Sequence, residues 1–250
     1  MINEVRTAVL AILNKSNYGY LNPSDFNLYC KLVQIDLFTD AFKQYNSQIN
    51  QENIRMSGSD LADMKDKKQL DIATFSRYDD LTKVSGSTFY LPSVATTGYD
   101  LYKIEEKGLW CYDGLVTPRV FKNYAEKAEK SKFRLLNSSL NTAPSVVFPV
   151  YIVEGNTLTV YPTVSAFSQT NSVECHYIRM PKDPKWTYLT ITDGDPIFDA
   201  TASDYQDFEL GSDEFPMLVV KICQLAGVEI RESDVFSFSK NEQVEKQKDQ

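Results

Sequence analysis

The sequence predicts an α+β protein in which a helical bundle, formed by the N- and C-terminal helices, carries an inserted antiparallel β-sandwich-like domain. Three observations predict it. Apolar residues recur at steps of three and four from Ile2 to Ile49 and again from Pro216 to Arg231, the repeat of a helix that buries one face. Between these stretches, short β-branched and aromatic runs repeat with period two. Gly, Pro, Asn or Asp bound those runs, and these residues turn a chain.

The elements follow in order. Ile2, Val5, Val9 and Ile12 paint one stripe on a helix that stops near Asn14. Gly19 supplies a turn, and Asn22, Pro23, Ser24 and Asp25 read as N-cap, first-turn proline and N3 acid, so a second helix starts at Pro23. Its stripe runs Leu28, Leu32, Ile35, Phe38, Phe42, Tyr45, Ile49 until Gly58 signals a stop. At 1.5 Å per residue such a helix is a rod of roughly 50 Å, longer than a small domain needs. Charges dominate from Asp60 to Lys83, which reads as a helical turn and a linker.

Strands are then expected at Thr88–Leu91, Leu101–Ile104, Leu109–Tyr112, Val146–Val153, Thr157–Tyr161, Val173–Met180 and Tyr188–Thr192. The clearest hairpin joins the fourth and fifth of these across Glu154, Gly155 and Asn156, with Gly155 able to take a positive φ. Pro118 to Arg134 is rich in helix formers and reads as a short exposed helix. In the last helix Leu218, Ile222 and Leu225 lie beside Val219, Cys223, Ala226 and Ile230, a wide apolar face whose simplest partner is the N-terminal helical pair. The expected domains are residues 1–84 with 208–232 as the helical bundle, 85–207 as the β domain and 233–250 as a C-terminal tail. Val235, Phe236 and Phe238 in that tail are candidates for docking on a partner.

Composition narrows the function. With 26 Lys plus Arg against 34 Asp plus Glu, the net charge of −8 repels a phosphate backbone, which disfavours nucleic-acid binding driven by counterion release. Apolar runs fall far short of the roughly 18 residues of a membrane span, and the start lacks the pattern of a secretory signal, so no membrane role is expected and synthesis belongs in the cytoplasm. Cys30, Cys111, Cys175 and Cys223 are scattered without a CxxC pair and read as buried thiols.

Chemistry is hard to find. His176 is the sole histidine, and strand alternation turns Cys175 away from it, so a Cys-His pair is not expected. There is no GxSxG, GxxxxGK, GxGxxG or HExxH, and Asn14 to Asp25 places Asn14, Ser16 and Tyr18 where a calcium loop needs carboxylates. No catalytic residue, cofactor or metal is therefore expected. Asp193 to Glu214 contains eight acids, among them Asp193, Asp195, Asp199, Asp204 and Asp207, and no Lys or Arg. It could be a solvated loop, a divalent-ion site around Asp193–Asp195, or a negative surface facing a partner or a channel. Fifteen Tyr and 14 Phe suit protein interfaces as well as a core, and on the long helix Phe38, Phe42 and Tyr45 are the candidate interface residues.

The opening MINEVRTAVLAILNKSNYGYLNPSDFNLYCK resembles the start of a structural protein of crAss-like bacteriophages. FYLP at Phe89–Pro92, FPVYIVEGNTLTVYPT at Phe148–Thr163 and VECHYIRMPKDP at Val173–Pro184 are similar, more loosely, to a passage in podovirus head-to-tail adaptor proteins. The resemblance implies a virion protein that forms a ring, expected to be a dodecamer, below the portal in the head-to-tail connector. Its expected partners are further copies of itself as a cyclic homo-oligomer, the portal protein and adjacent tail rings, with DNA passing through the channel without sequence-specific binding. It carries over no catalytic residues. A channel lined by acids would keep the duplex from sticking, which gives the 193–214 segment a role in that setting. Two readings compete with it: a β-sandwich binding or adhesion module on a helical stalk, and a small hydrolase working through the acidic segment.

Overall fold

The computed structural model describes residues 1–13, 21–55, 69–190 and 196–230, with the backbone alone at 44–55 and 228–230. Helices and antiparallel sheets together make an α+β fold, and the chain divides into two compact units, Met1–Asp71 with Pro181–Gln250 and Ile72–Met180.

The first unit is helical. Helix α1 (Ile2–Leu13) buries Ile2, Val5, Val9 and Leu13, one residue beyond the predicted Ile12 at its end. Helix α2 (Pro23–Arg55) starts at the predicted proline, and Asn22 Oδ1 accepts a bond from Ser24 N at 3.4 Å. The α2 stripe differs from the expected one. Phe26, Cys30, Val33, Leu37 and Phe38 are buried, whereas Leu28 and Leu32 are 53% and 48% exposed. The first half of α2 is apolar on two adjacent faces, and the face that meets the other helices becomes the core.

The C-terminal helix, Phe215–Ile230, packs against both N-terminal helices through Leu218, Val219, Ile222, Cys223 and Ala226, as its wide apolar face predicts. The chain returning to it, residues 181–214, belongs to this unit too. Trp186 anchors that return. Its ring is buried, its Nε1 donates to Asn3 Oδ1 at 3.1 Å, and its backbone N donates to Asn27 Oδ1 at 2.8 Å. The Arg6 guanidinium lies 3.9 Å from the centre of the ring.

The second unit holds two antiparallel sheets around one core. Strands β1 (Ser76–Asp80), β4 (Leu101–Asp113), β5 (Val120–Tyr124) and β9 (Val173–Arg179) form a sheet in the order β1-β9-β4-β5. Strands β2 (Lys83–Ser85), β3 (Thr88–Tyr90), β6 (Glu126–Lys127), β7 (Val150–Glu154) and β8 (Thr157–Tyr161) form the other, in the order β2-β3-β8-β7-β6. Among the described residues its one parallel pairing is β6 with β7. Leu109, Cys111, Val173, Cys175 and Tyr177 point inward from the first sheet and meet Phe89, Tyr151, Leu158 and Val160 of the second. The β7-β8 hairpin forms as predicted, with Gly155 at φ +60.

Several elements depart from the sequence reading. The charged run Ser76–Asp80 is a strand because it lies along β9, whose backbone supplies its ladder bonds. Within Pro118–Arg134 the chain forms β5 and β6, and helix begins only at Lys130, in Lys130–Asn137. Cross-strand bonds to β4 and β7 override the helix propensity of that stretch. The units divide at 71/72 and 180/181, where the sequence placed the boundaries at 84/85 and 207/208. The strand pair β10 (Tyr188–Leu189) and β11 (Ile197–Phe198) lies in the helical unit, although its residues read as β domain.

Candidate functional site

Strand alternation decides which side chains leave the core of the four-stranded sheet. On β9, Val173, Cys175 and Tyr177 face inward, so Glu174 and His176 face outward. On β4, Leu109 and Cys111 face inward, so Trp110 and Tyr112 face outward. The cross-strand pairs Tyr78–His176 and Tyr112–Phe121 bring β1 and β5 onto this outer face.

The result is an aromatic row across four strands. The His176 ring stacks between Tyr78, at 5.6 Å between centroids, and Trp110, at 4.5 Å. Trp110 leans on Phe121 at 5.3 Å, and Phe121 meets Tyr112 edge-on at 5.6 Å. Tyr78, Trp110 and Phe121 remain exposed.

Charges lace this row. His176 Nε2 is 2.8 Å from Glu174 Oε1, and Arg119 Nη2 donates to Glu174 Oε2 at 2.7 Å. The same guanidinium bonds Asp80 and lies 4.2 Å from the Tyr112 ring centre. The hydrogen bond to Asp80 raises the Arg119 pKa despite some desolvation. Burial, with the Glu174 charge behind it, pushes the Tyr112 hydroxyl up.

A His-Glu pair can hold and pass a proton, but acyl or phosphoryl chemistry also needs a nucleophile beside it. Cys175 is on the opposite face, and burial pushes its thiol up to about 12, so it stays protonated at neutral pH. Cys111 and Cys223 are likewise raised by burial to about 12. Tyr112 and Arg119 are spent on one another and on Glu174. The cluster is thus a tightly packed surface in which one cation, Arg119, joins two carboxylates, Asp80 and Glu174.

The acidic segment is largely bound into its own unit. Asp207 lies at the start of α1, where its Oδ1 accepts from Ile2 N at 2.8 Å and from Phe208 N at 2.8 Å, and its Oδ2 lies 3.0 Å from Met1 N. Burial would raise its pKa, yet these donors outweigh burial and lower it. Asp204 pairs with Lys185 at 2.5 Å, and Asp199 accepts from Thr201 N at 2.8 Å. Asp193 and Asp195 lie outside the described residues, as do Val235, Phe236 and Phe238. Among the described residues no group of His, Cys, Asp and Glu has the arrangement of a metal site.

On the long helix, Phe38 is buried and Phe42 meets it edge-on at 5.0 Å. The side chain of Tyr45 is outside the described set. Beside them, a cavity of about 510 Å³ lies between α2 and the C-terminal helix, where Lys221 bridges Asp36 and Asp40. The sequence reading passed over Trp110, Phe121, Arg119 and Glu174. The signal was the alternation in Leu109–Tyr112 and Val173–Arg179, which sets Trp110 and His176 on the face opposite the cysteines.

No helix among the described residues is long and apolar enough to cross a membrane. Neither the models of known protein families nor the curated proteins give a match to the chain.

Proposed function

We propose that the chain is a structural subunit of the head-to-tail connector of a tailed bacteriophage, made in the host cytoplasm and resident in the virion. In this reading it forms a cyclic homo-oligomer of about twelve copies by heterologous contacts that close on themselves. It adjoins the portal protein or neighbouring tail rings, and its acidic surface lets DNA pass without binding it. The resemblance of the opening 31 residues and of the β passages supports this.

One structural observation carries the proposal furthest. Helix α2 has 33 residues, about 50 Å at 1.5 Å per residue, whereas α1 and the C-terminal helix have 12 and 16, about 18 and 24 Å. Neither can run beside the whole of α2. Its apolar spacing nevertheless continues through Phe42, Tyr45 and Ile49, and Leu28 and Leu32 are exposed on its first half. A long rod that exposes Leu28 and Leu32 on its first half suits side-by-side packing of copies.

The aromatic row is the observation nearest to the adhesive reading. A sugar-binding platform needs open ring faces, and in this row the His176 ring is covered on both sides, by Tyr78 and Trp110. That geometry favours a protein contact.

The test is native mass spectrometry and sedimentation of the purified chain, alone and with its portal protein. Closed multimers are expected. A single protomer at every concentration and in both mixtures would overturn the proposal, as would substrate turnover by that lone protomer.

A further inference from the structure

The β unit has two outer faces, and they differ in charge. On the four-stranded sheet the aromatic row sets two carboxylates, Asp80 and Glu174, on a single cation, Arg119. Tyr78, Phe121 and Trp110 along the row are 69%, 46% and 38% exposed. The row crosses all four strands, about 14 Å at roughly 4.8 Å between neighbouring strands.

The opposite outer face belongs to the five-stranded sheet. Leu158 and Val160 point into the core, so Tyr161 at the end of β8 points out. The Phe133 ring lies 4.2 Å from the Tyr161 ring, centre to centre, and seats the helix Lys130–Asn137 on that side. A turn of about 100° per residue puts Leu135 on the far side of the helix from Phe133, where it is 74% exposed. Lys132 and Arg134 flank it and are exposed as well. The helix KSKFRLLN carries cations and no acid. Lys130 pairs with Glu154 at 2.7 Å, whereas among the described residues Lys132 and Arg134 have no ion pair. Its 8 residues make it about 12 Å long, close to the span of the aromatic row.

We propose that the basic face of this helix in one copy docks along the aromatic row of the next copy, with Leu135 on the exposed rings and Lys132 and Arg134 towards Asp80 and Glu174; this rests on the ring reading above and assigns one of its contacts. Opposite charge selects the occupant. The row holds one more carboxylate than cation, and the helix brings two cations that its own chain leaves unpaired. Those cations can also lie over exposed rings such as Tyr78. The two surfaces lie on opposite sides of one sandwich, so a copy cannot close the contact on itself. Each copy offers one of each, which makes the contact heterologous and passes it from copy to copy, as a ring requires. A phosphate backbone fits the helix less well, because the chain is at −8 and the exposed leucine beside the cations asks for an apolar partner.

The test uses full-length chains, each verified as folded by circular dichroism. Wild type is expected to form closed multimers that loosen as salt rises. K132E/R134E sets acids against the row and Y78R/F121R sets cations against the helix, so each alone should associate at least 10-fold more weakly. Mixed one to one, the acidic helix of the first meets the cationic row of the second, and the basic helix of the second meets the native row of the first. Assembly should then return, with the two variants alternating. Y78C/L135C should form disulfides between copies on oxidation, since the native thiols are buried. If wild type assembles and K132E/R134E assembles equally well, if the mixture does not recover, or if Y78C/L135C gives no disulfide between copies, the docking is overturned and the ring reading stands. Assembly intact in K132E/R134E together with weakened binding of a short DNA duplex would assign the helix to DNA and overturn the docking too. If wild type stays a single protomer, alone and with its portal protein, the ring reading falls and the docking with it.

Discussion

Replacing Asp207 by Asn separates a structural acid from a merely exposed one. The carboxylate accepts from Ile2 N and Phe208 N, each at 2.8 Å, and so caps α1 from a segment 205 residues away. Asn keeps an oxygen that can accept these bonds, so the change removes the charge: bonds to a charged group contribute about 1.5–3 kcal/mol when well buried, against about 0.5–1.5 kcal/mol for neutral ones. Because this side chain is 35% exposed, solvent screening reduces the effect, and about 1–2 kcal/mol is expected at neutral pH.

The two tryptophans allow a clean assay, because Trp186 lies in the helical unit and Trp110 in the β unit. In a W110F background, Trp186 emission reports urea unfolding of the helical unit. With a slope of about 2 kcal/mol per molar urea, D207N should lower the midpoint by about 0.5–1 M. The folded-state pKa of Asp207 lies below its unfolded value, so its contribution is full above about pH 4 and is lost as pH falls through the folded pKa. The midpoints of D207N and its parent should therefore converge in acid. D199N, at a carboxylate bonded only within its own turn, should leave the midpoint unchanged. An unchanged D207N midpoint at pH 7, or an equal shift in D199N, would refute the argument that the Asp207 charge stabilises the start of α1.

Three further outcomes are expected. R119M leaves Glu174 and Asp80 without their shared cation, so the β unit should lose about 1–3 kcal/mol at pH 7, read from Trp110 emission in urea. F38A should destabilise the helical unit by about 3 kcal/mol while L28A stays within about 0.5 kcal/mol, and equal effects would show that the buried stripe of α2 has been misplaced. The four buried thiols should resist a thiol reagent at pH 8 and all react once the protein is denatured, and rapid native labelling of any one would contradict its burial.

The α+β class, the helices at both ends, the Pro23 start and the Gly155 hairpin were legible in the sequence. Each depends on local physics: helical or alternating spacing, a proline that tolerates a missing donor, a glycine that tolerates positive φ. The buried face of α2 was not legible, because two apolar faces compete and only the packing of α1 and the C-terminal helix chooses Phe26, Cys30, Val33 and Leu37. Ser76–Asp80 is polar enough to read as linker and becomes a strand through pairing with β9, a partner about a hundred residues away.

The candidate surface divides the same way. Alternation alone puts Glu174 and His176 on one face and Cys175 on the other. That Trp110, Tyr78, Phe121 and Arg119 gather around them depends on strand order, which non-local pairing decides. Likewise, composition shows a long uncharged run from Leu135 to Val153, but only the fold decides that Tyr151 and Ile152 are buried while Leu140 and Phe148 are exposed. Local spacing determines which residues seek burial; tertiary pairing determines which of them obtain it within the chain.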